Sequence, residues 1–239
     1  MSNNQKDLSF TGERFLPGMS GRRIEQDHYQ RYNFASQFCK EKSVLDFACG
    51  SGYGSTILTQ GGACSYTGKD ISPESVEHAN RKYGAENISF SVGNICEFDE
   101  IDKYDLITCF ETIEHVTCYK NALNNLYSSL KPGGMLLVSS PNRPVTSPKA
   151  NNLSDKPANT FHTQEFIPSE LIEELCNVGF NVDKNGIFGQ RQRMFYNNPV
   201  VFALIRATKF PDIFAYITSP NVTPVTNKTP RYFLLVANK

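Results

Sequence analysis

A run of glycines, a few carboxylates and two histidines are the residues here whose types and spacing could do chemistry. Gly50, Gly52 and Gly54 recur at two-residue intervals in CGSGYGS, directly after the apolar run VLDFAC. Glycines so placed let the backbone turn tightly and approach a ligand at the start of a helix. The spacing is not the GxGxxG of dinucleotide folds, because Ser55 stands where that pattern would continue. Asp70, in TGKDIS, ends a second apolar run. An acid at that place can accept hydrogen bonds from both hydroxyls of a ribose. Asn94, between Gly93 and Ile95, follows a third run and could reach an adenine edge. Together the glycine turn and the strand-end acid point to an adenosine-bearing ligand. The stretch YDLITCFETIEHV then delivers Glu111, Glu114 and His115, and HTQEF adds His162. A histidine with an ordinary pKa near 6.5 can remove a proton from an acceptor. His115 is the first candidate base and His162 the second, with Glu111 beside them. Each feature also has a plainer reading: a strand-to-helix turn, a helix-cap neighbour, a loop-orienting histidine.

These residues must be positioned by regular elements. Ile24 to Lys40 reads as a helix with Tyr29, Tyr32, Phe34 and Phe38 roughly along one side. Strands are expected over Ser43–Cys49, Ser65–Ile71, Asn87–Val92, Tyr104–Phe110, Met135–Ser140 and Phe180–Phe188, and RYFLLVAN reads as the last. Helices are expected over STILTQGG, over SPESVEHANRKYG with Ser72 and Pro73 as its start signal, over Tyr119–Leu130 and over PSELIEELCNVGF. LKPGG reads as a helix stop. Residues 141–162 read as a long polar loop, mobile without ligand, and residues 189–230 as an interlude with a helix near 199–210. Strand–helix alternation predicts an α/β fold: one doubly wound, Rossmann-like sheet, mostly parallel with an antiparallel last strand. Ligands of such sheets sit at the carboxyl ends of the strands. The whole chain, 1–239, reads as one domain. Residues 1–42 form a helical lid, 43–188 and 231–239 the core, and 189–230 a cap.

Composition narrows the classes. Lys and Arg together number 24 and so do Asp and Glu, so the net charge is zero among 239 residues. Phosphate-led nucleic-acid binding usually needs a basic surplus, so no nucleic-acid partner is expected. The longest apolar candidate, Pro199–Ile217, is broken by Arg206, Lys209 and Asp212, which argues against a membrane span. The polar start carries no leader signal. Seven cysteines without a CxxC pair argue against a disulfide framework or zinc ribbon, and reduced thiols in a cytoplasmic protein are expected.

The series VLDFACGSGYGS, YTGKDIS, VGN, YDLITCFETIEHV and LKPGGMLLVSSPN resembles, in order and spacing across 43–142, the class I S-adenosylmethionine-dependent methyltransferases. FHTQEFIPSELIEEL continues the likeness. The opening FTGERFLPG and IEQDHYQRYNFA are similar to a bacterial subgroup associated with surface polysaccharide or other sugar modification. Ala48 departs from the family, where a glycine is frequent.

The resemblance implies S-adenosyl-L-methionine as the cofactor. Asp46 would orient the methionine amine, and Ala48, Gly50 and Gly52 would pass beneath the methionine part. Asp70 would hold the ribose, Ile71 would pack on the adenine, and Asn94 and Ile95 would bracket its edge. Phe110 would place its backbone near the ligand, and Tyr32 with Arg31 would close over the carboxylate. The implied reaction moves a methyl group to an oxygen or nitrogen of a small-molecule acceptor: a sugar, a nucleotide-sugar or a related intermediate. Glu111, Glu114, His115 and His162 also resemble the metal site of small-RNA 2′-O-methyltransferases and of ubiquinone-pathway O-methyltransferases. A divalent ion such as Mg is the less favoured alternative. A silent donor-binding module and a nucleotide-dependent oxidoreductase are the others. Relatives use the 189–230 region for acceptor choice or dimerisation, so a homodimer is compatible.

Overall fold

The computed structural model describes residues 15–19, 21–193, 200 and 218–239. Helix α1 (Arg22–Ser36) leads into β1 (Ser43–Phe47), α2 (Gly54–Gln60), β2 (Ser65–Asp70), α3 (Pro73–Tyr83), β3 (Ile88–Val92) and β4 (Tyr104–Phe110). A 3-10 turn (Ile113–His115) precedes α4 (Tyr119–Ser129), β5 (Leu130–Pro141), α5 (Arg143–Thr146), α6 (Pro168–Val178), β6 (Asn181–Gln190), β7 (Thr223–Pro224) and β8 (Tyr232–Asn238). The sheet runs β3-β2-β1-β4-β5-β8-β6-β7. Its first five strands are mutually parallel, and β8 is antiparallel to both β5 and β6. Apart from Val200, the helix expected near 199–210, with Arg206 and Lys209, lies outside the described residues, as do residues 10–14 of the opening motif.

Alternation along the strands divides the core in two. Leu45, Phe47, Ile107, Cys109, Leu136 and Val138 pack with Leu123 and Leu126 of α4 and Leu171 and Leu175 of α6. The intervening Val44, Leu106, Phe110 and Leu137 pack with Tyr32 and Ala35 of α1, Leu58 of α2 and Val76 of α3. Each fully buried leucine contributes roughly 1.5–3 kcal/mol against leaving it in water. The helix starts follow local chemistry: Ser72 Oγ accepts the Ser75 N–H at 3.2 Å, with Pro73 in the first turn. Gly179, at φ 120°, ends α6.

Two boundaries differ from expectation. LKPGG is part of β5, not a separate stop: Tyr104 pairs with Leu130 and Leu106 with Met135. Pro132 lacks a ladder donor and Gly133 takes φ 76°, so the extra residues bulge and the strand resumes. The first strand ends at Phe47, because Ala48 turns into the left-handed region at φ 60°.

The turn after β1 divides its labour among its glycines. Gly52 has φ 82°, and a Cβ there would lie 2.6 Å from Ala79 Cβ and 2.9 Å from the Phe90 ring. Gly54 opens α2 against the ring of Tyr32, which occupies the space of any Cβ. Ala48 is the mirror case, a side chain held where glycine is at ease. Ala48→Gly is expected to be neutral to stabilising, by up to about 1 kcal/mol, as relief of the left-handed strain offsets added unfolded-chain entropy. Gly52→Ala is expected to cost more than about 1 kcal/mol through overpacking and strain. Denaturant melts should show Gly52→Ala destabilised and Ala48→Gly not; clear destabilisation by both would contradict this account of the turn.

Candidate functional site

The chain reverses its winding between β1 and β4, and the carboxyl ends of the first five strands open onto one cavity of about 820 Å³. This is the switch point where open α/β sheets bind ligands. Ala48 and Gly50 come from the end of β1, Asp70 and Ile71 from β2, Asn94 and Ile95 from β3, and Phe110 and Glu111 from β4. Helix α1 supplies Arg31 and Tyr32, and His115 and His162 line the same cavity. Two expected ligand contacts, Asp46 and Gly52, do not line it.

Asp46 is buried behind the wall, 1% exposed. Its carboxylate accepts hydrogen bonds from Tyr32 Oη at 2.9 and 3.1 Å, Tyr66 Oη at 2.7 Å and Thr108 Oγ1 at 2.7 Å. It therefore ties α1, β2 and β4 to β1. Burial pushes its pKa up to about 6, against the pull of those three hydroxyls. Asp70 remains on the wall. It accepts the Gly50 N–H and the Ser72 N–H, each at 2.9 Å, and so pins the glycine turn to the start of α3. Ile71 is 69% exposed, an apolar surface at the cavity rim. Asn94 Oδ1 accepts the Cys96 N–H at 3.0 Å, and Ile95 belongs to the core beneath.

The proton-handling groups sort themselves by their partners. Glu111 has φ 48°, its Oε1 accepts from Ser139 Oγ at 2.7 Å, and Arg31 Nη1 lies 3.8 Å away. Glu114 is 1% exposed, and neither carboxylate oxygen has a hydrogen-bond partner among the described residues. Burial, aided by Glu111, pushes its pKa well above the usual carboxylate range. His115 Nδ1 lies 3.0 Å from the Phe161 carbonyl, which can only accept, so the proton sits on Nδ1. His162 Nδ1 is 2.7 Å from Glu165 Oε1, and its Nε2 is 2.9 Å from the Asn159 amide nitrogen. Burial raises the Glu165 pKa, but bonds from His162, Thr146 and Ser147 outweigh it and hold the group low. Both nitrogens of His162 are thus engaged, and His115 Nε2 lies 4.0 Å from Glu114 Oε1.

Several cavity residues escaped the sequence reading. Phe15 stacks on His28 at 4.4 Å between ring centres, and Tyr53 Oη lies 3.0 Å from His28 Nδ1. Burial, with Arg31 adding to it, pushes the His28 pKa well below its usual value. Cys96 and Cys118 are joined by a disulfide, which corrects the expectation of reduced thiols throughout. Their irregular spacing hid the pair; the signal was topological, since both follow strand ends that meet at the cavity. The polar loop 141–162 carries the short α5 and brings Thr146 and Asn159 to the cavity.

Comparison with known proteins agrees with this geometry. Residues 22–185 match a family model described as a methyltransferase domain. A probable S-adenosylmethionine-dependent methyltransferase of Mycolicibacterium smegmatis is 34% identical over 188 residues, covering 76% of this chain and 69% of that one. A ubiquinone biosynthesis O-methyltransferase of Coxiella burnetii is 37% identical over 109 residues, 44% of this chain and 45% of that protein. The solved structure of an S-adenosylmethionine-dependent methyltransferase from Thermotoga maritima superposes with a TM-score of 0.63 at 15% identity, covering 91% and 93% of the two chains. The chain belongs to the S-adenosylmethionine-dependent methyltransferases, enzymes whose cofactor is S-adenosylmethionine. No helix among the described residues is long and apolar enough to cross a membrane.

Asp46 gives a pH test. Its folded-state pKa lies above the unfolded value, so the native state holds the extra proton between about pH 3.8 and 6. Stability from this group therefore falls as pH rises through that window. The advantage of wild type over Asp46→Asn is expected to be larger at pH 4 than at pH 7, by about 2 kcal/mol. Denaturant titrations across that range would measure it, and a pH-independent difference would refute the assignment.

Proposed function

We propose that this enzyme transfers a methyl group to an oxygen or nitrogen of a small acceptor, with a sugar, nucleotide-sugar or related intermediate as the leading class. The observation that carries the reading is His115, which lines the cavity and donates its Nδ1–H to the Phe161 carbonyl, so that Nε2 is its basic nitrogen. Asp70 holds the donor's ribose, and Ile71, Asn94 and Ile95 frame its adenine. The backbone at Ala48 and Gly50 passes beneath the methionine part, with Arg31 and Tyr32 over its carboxylate. Asp46 acts through Tyr32 rather than by touching the donor. The wall near Thr146, Asn159, Arg231 and Tyr232 offers hydrogen-bonding groups around an aromatic ring, which suits a polyhydroxylated acceptor.

Bound S-adenosylmethionine supplies an already activated methyl on a sulfonium. The chain's residues must therefore orient the acceptor and take its proton. Positioning of that kind can supply roughly 7–11 kcal/mol of barrier reduction. His115 Nε2 receives the acceptor proton, and Glu111, tethered by Ser139 and Arg31, keeps the adjoining wall in place. His162 serves instead to brace the loop through Glu165 and Asn159.

Thermal melts with S-adenosylmethionine or S-adenosylhomocysteine at about 100 times the dissociation constant should show stabilisation of about 2.7 kcal/mol. For a chain of this size that is roughly 5–10 °C. A response to NAD(H) in their place would sink the donor site. With nucleotide-sugar acceptors, His115→Gln should lower kcat by about 10²–10⁴ while donor affinity stays the same. Unchanged turnover would remove His115 from the chemistry.

A second reading rests on Glu114. Its unpartnered oxygens lie with donor atoms of His115 and His162 in a cluster within 4.8 Å. One carboxylate and two imidazoles suit manganese, iron or zinc better than magnesium, which prefers oxygen ligands. Glu111 lies outside this cluster. An ion there would hold and polarise a hydroxyl acceptor. Activity lost to EDTA and regained with Mn²⁺, with the regain abolished by Glu114→Gln, is the expected pattern; full activity in EDTA would exclude it.

A further inference from the structure

Cys96 and Cys118 come from the loops after β3 and β4 and both line the cavity, at the end where Asn94 and Ile95 stand. Their Cα atoms are 6.1 Å apart across 22 residues of sequence, and a disulfide joins them. Both are half-buried, within reach of a small solvent thiol. The remaining cysteines behave differently. Burial pushes the Cys39 and Cys109 thiols up to about 12 and raises the Cys49 thiol well above its usual value, and Cys64 and Cys176 are exposed and outside any disulfide. The backbone beside Cys96 is already tethered: Asn94 Oδ1 accepts its N–H, and Asn125 of α4 donates to the Ile95 carbonyl at 2.9 Å. The opposite arm, Val116–Thr117–Cys118, runs into α4, which Cys118 caps. The sulfur bridge is thus the covalent link that sets the distance between the two arms.

We propose that Cys96 and Cys118 are a reversible redox pair, oxidised by a small-molecule disulfide of the glutathione class, that controls donor affinity by fixing the width of the adenine slot. The coupling to the donor rests on the function proposed above. The exchange is balanced. One cysteine thiolate attacks a sulfur of the reagent disulfide and expels one reagent thiolate. The second cysteine thiolate attacks the resulting mixed disulfide and expels the other. The protein loses two electrons and two protons, and the reagent becomes two thiols. Cys118 is the attacking sulfur, since it stands at the start of α4, where the helix's amino end favours negative charge. Closure pre-organises both arms, so the oxidised form binds the adenosine end more tightly.

The test equilibrates the full chain in glutathione buffers from fully reduced to fully oxidised, alkylates it after an acid quench and maps the cysteines by mass spectrometry. S-adenosylhomocysteine binding is measured calorimetrically at both ends of the series. Cys96 and Cys118 should leave the alkylated pool together, and affinity should rise roughly 5-fold or more on oxidation, the low end of ordinary coupling. By reciprocity, saturating S-adenosylhomocysteine should lower the pair's midpoint by about 20 mV, the same factor for a two-electron couple. Cys96→Ser and Cys118→Ser should each remove the redox dependence of binding, and Cys64→Ser should keep it. Independent alkylation of the two sulfurs, or equal affinity in both states, would overturn the proposal. If S-adenosylhomocysteine binds in neither state, the donor reading itself fails, and the alkylation map still reports whether the pair forms.

Discussion

Asp46 carries the arrangement. A carboxylate taken out of water is costly, and the structure offsets that cost with three hydroxyl donors drawn from three elements. The result is a knot at the centre of the sheet, where β1 is flanked by β2 and β4 and covered by α1. Tyr32 is held by this knot, Gly54 is small because Tyr32 lies across it, and the turn from Ala48 to Gly54 is shaped accordingly. The cavity is the space left in front. Its donor wall is thus defined by a residue that does not line it.

The two sides of the cavity are built on different terms. The side formed by the ends of β1, β2 and β3 is largely backbone, with Asp70 spending its oxygens on the Gly50 and Ser72 amides. The opposite side is side-chain chemistry under electrostatic tension. Glu111 disfavours charge on buried Glu114, and Arg31, 3.8 Å from Glu111, offsets only part of that. The Glu114 carboxylate is left buried without a hydrogen bond among the described residues, and strained backbone at Glu111 sits in the same turn. Unsatisfied polar groups and left-handed non-glycine residues gather where function demands them.

Much of this was legible in the residues. The parallel order, the β4 boundaries, the Ser72–Pro73 helix start and the Gly179 stop follow from local patterns of period and capping, which act over a few positions. The strand-end residues were legible because topology alone brings strand ends together. What local pattern could not give was orientation. Asp46 and Asp70 are both acids at the carboxyl half of a strand, yet the pleat turns one into the core and the other to the cavity rim. His115 and His162 look alike in sequence; their tautomers are set by Phe161 and Glu165, contacts that depend on how the loop folds back. The Cys96–Cys118 pair and the bulge within LKPGG were hidden for the same reason, since each depends on a partner distant in the chain.

The position of β8 has a consequence for synthesis. It lies between β5 and β6, so β6 has no neighbour to pair with on that side until β8 has been made. Chains emerge amino end first, and the first five strands can assemble as they appear. The pairing of β6 must wait some forty residues for a strand that arrives later, leaving a sheet edge open meanwhile. Completion of this fold is therefore a late, long-range event. Chains stalled before β8 would present both that edge and the apolar surface that Phe233 and Leu235 later cover to whatever chaperone or neighbouring chain is near.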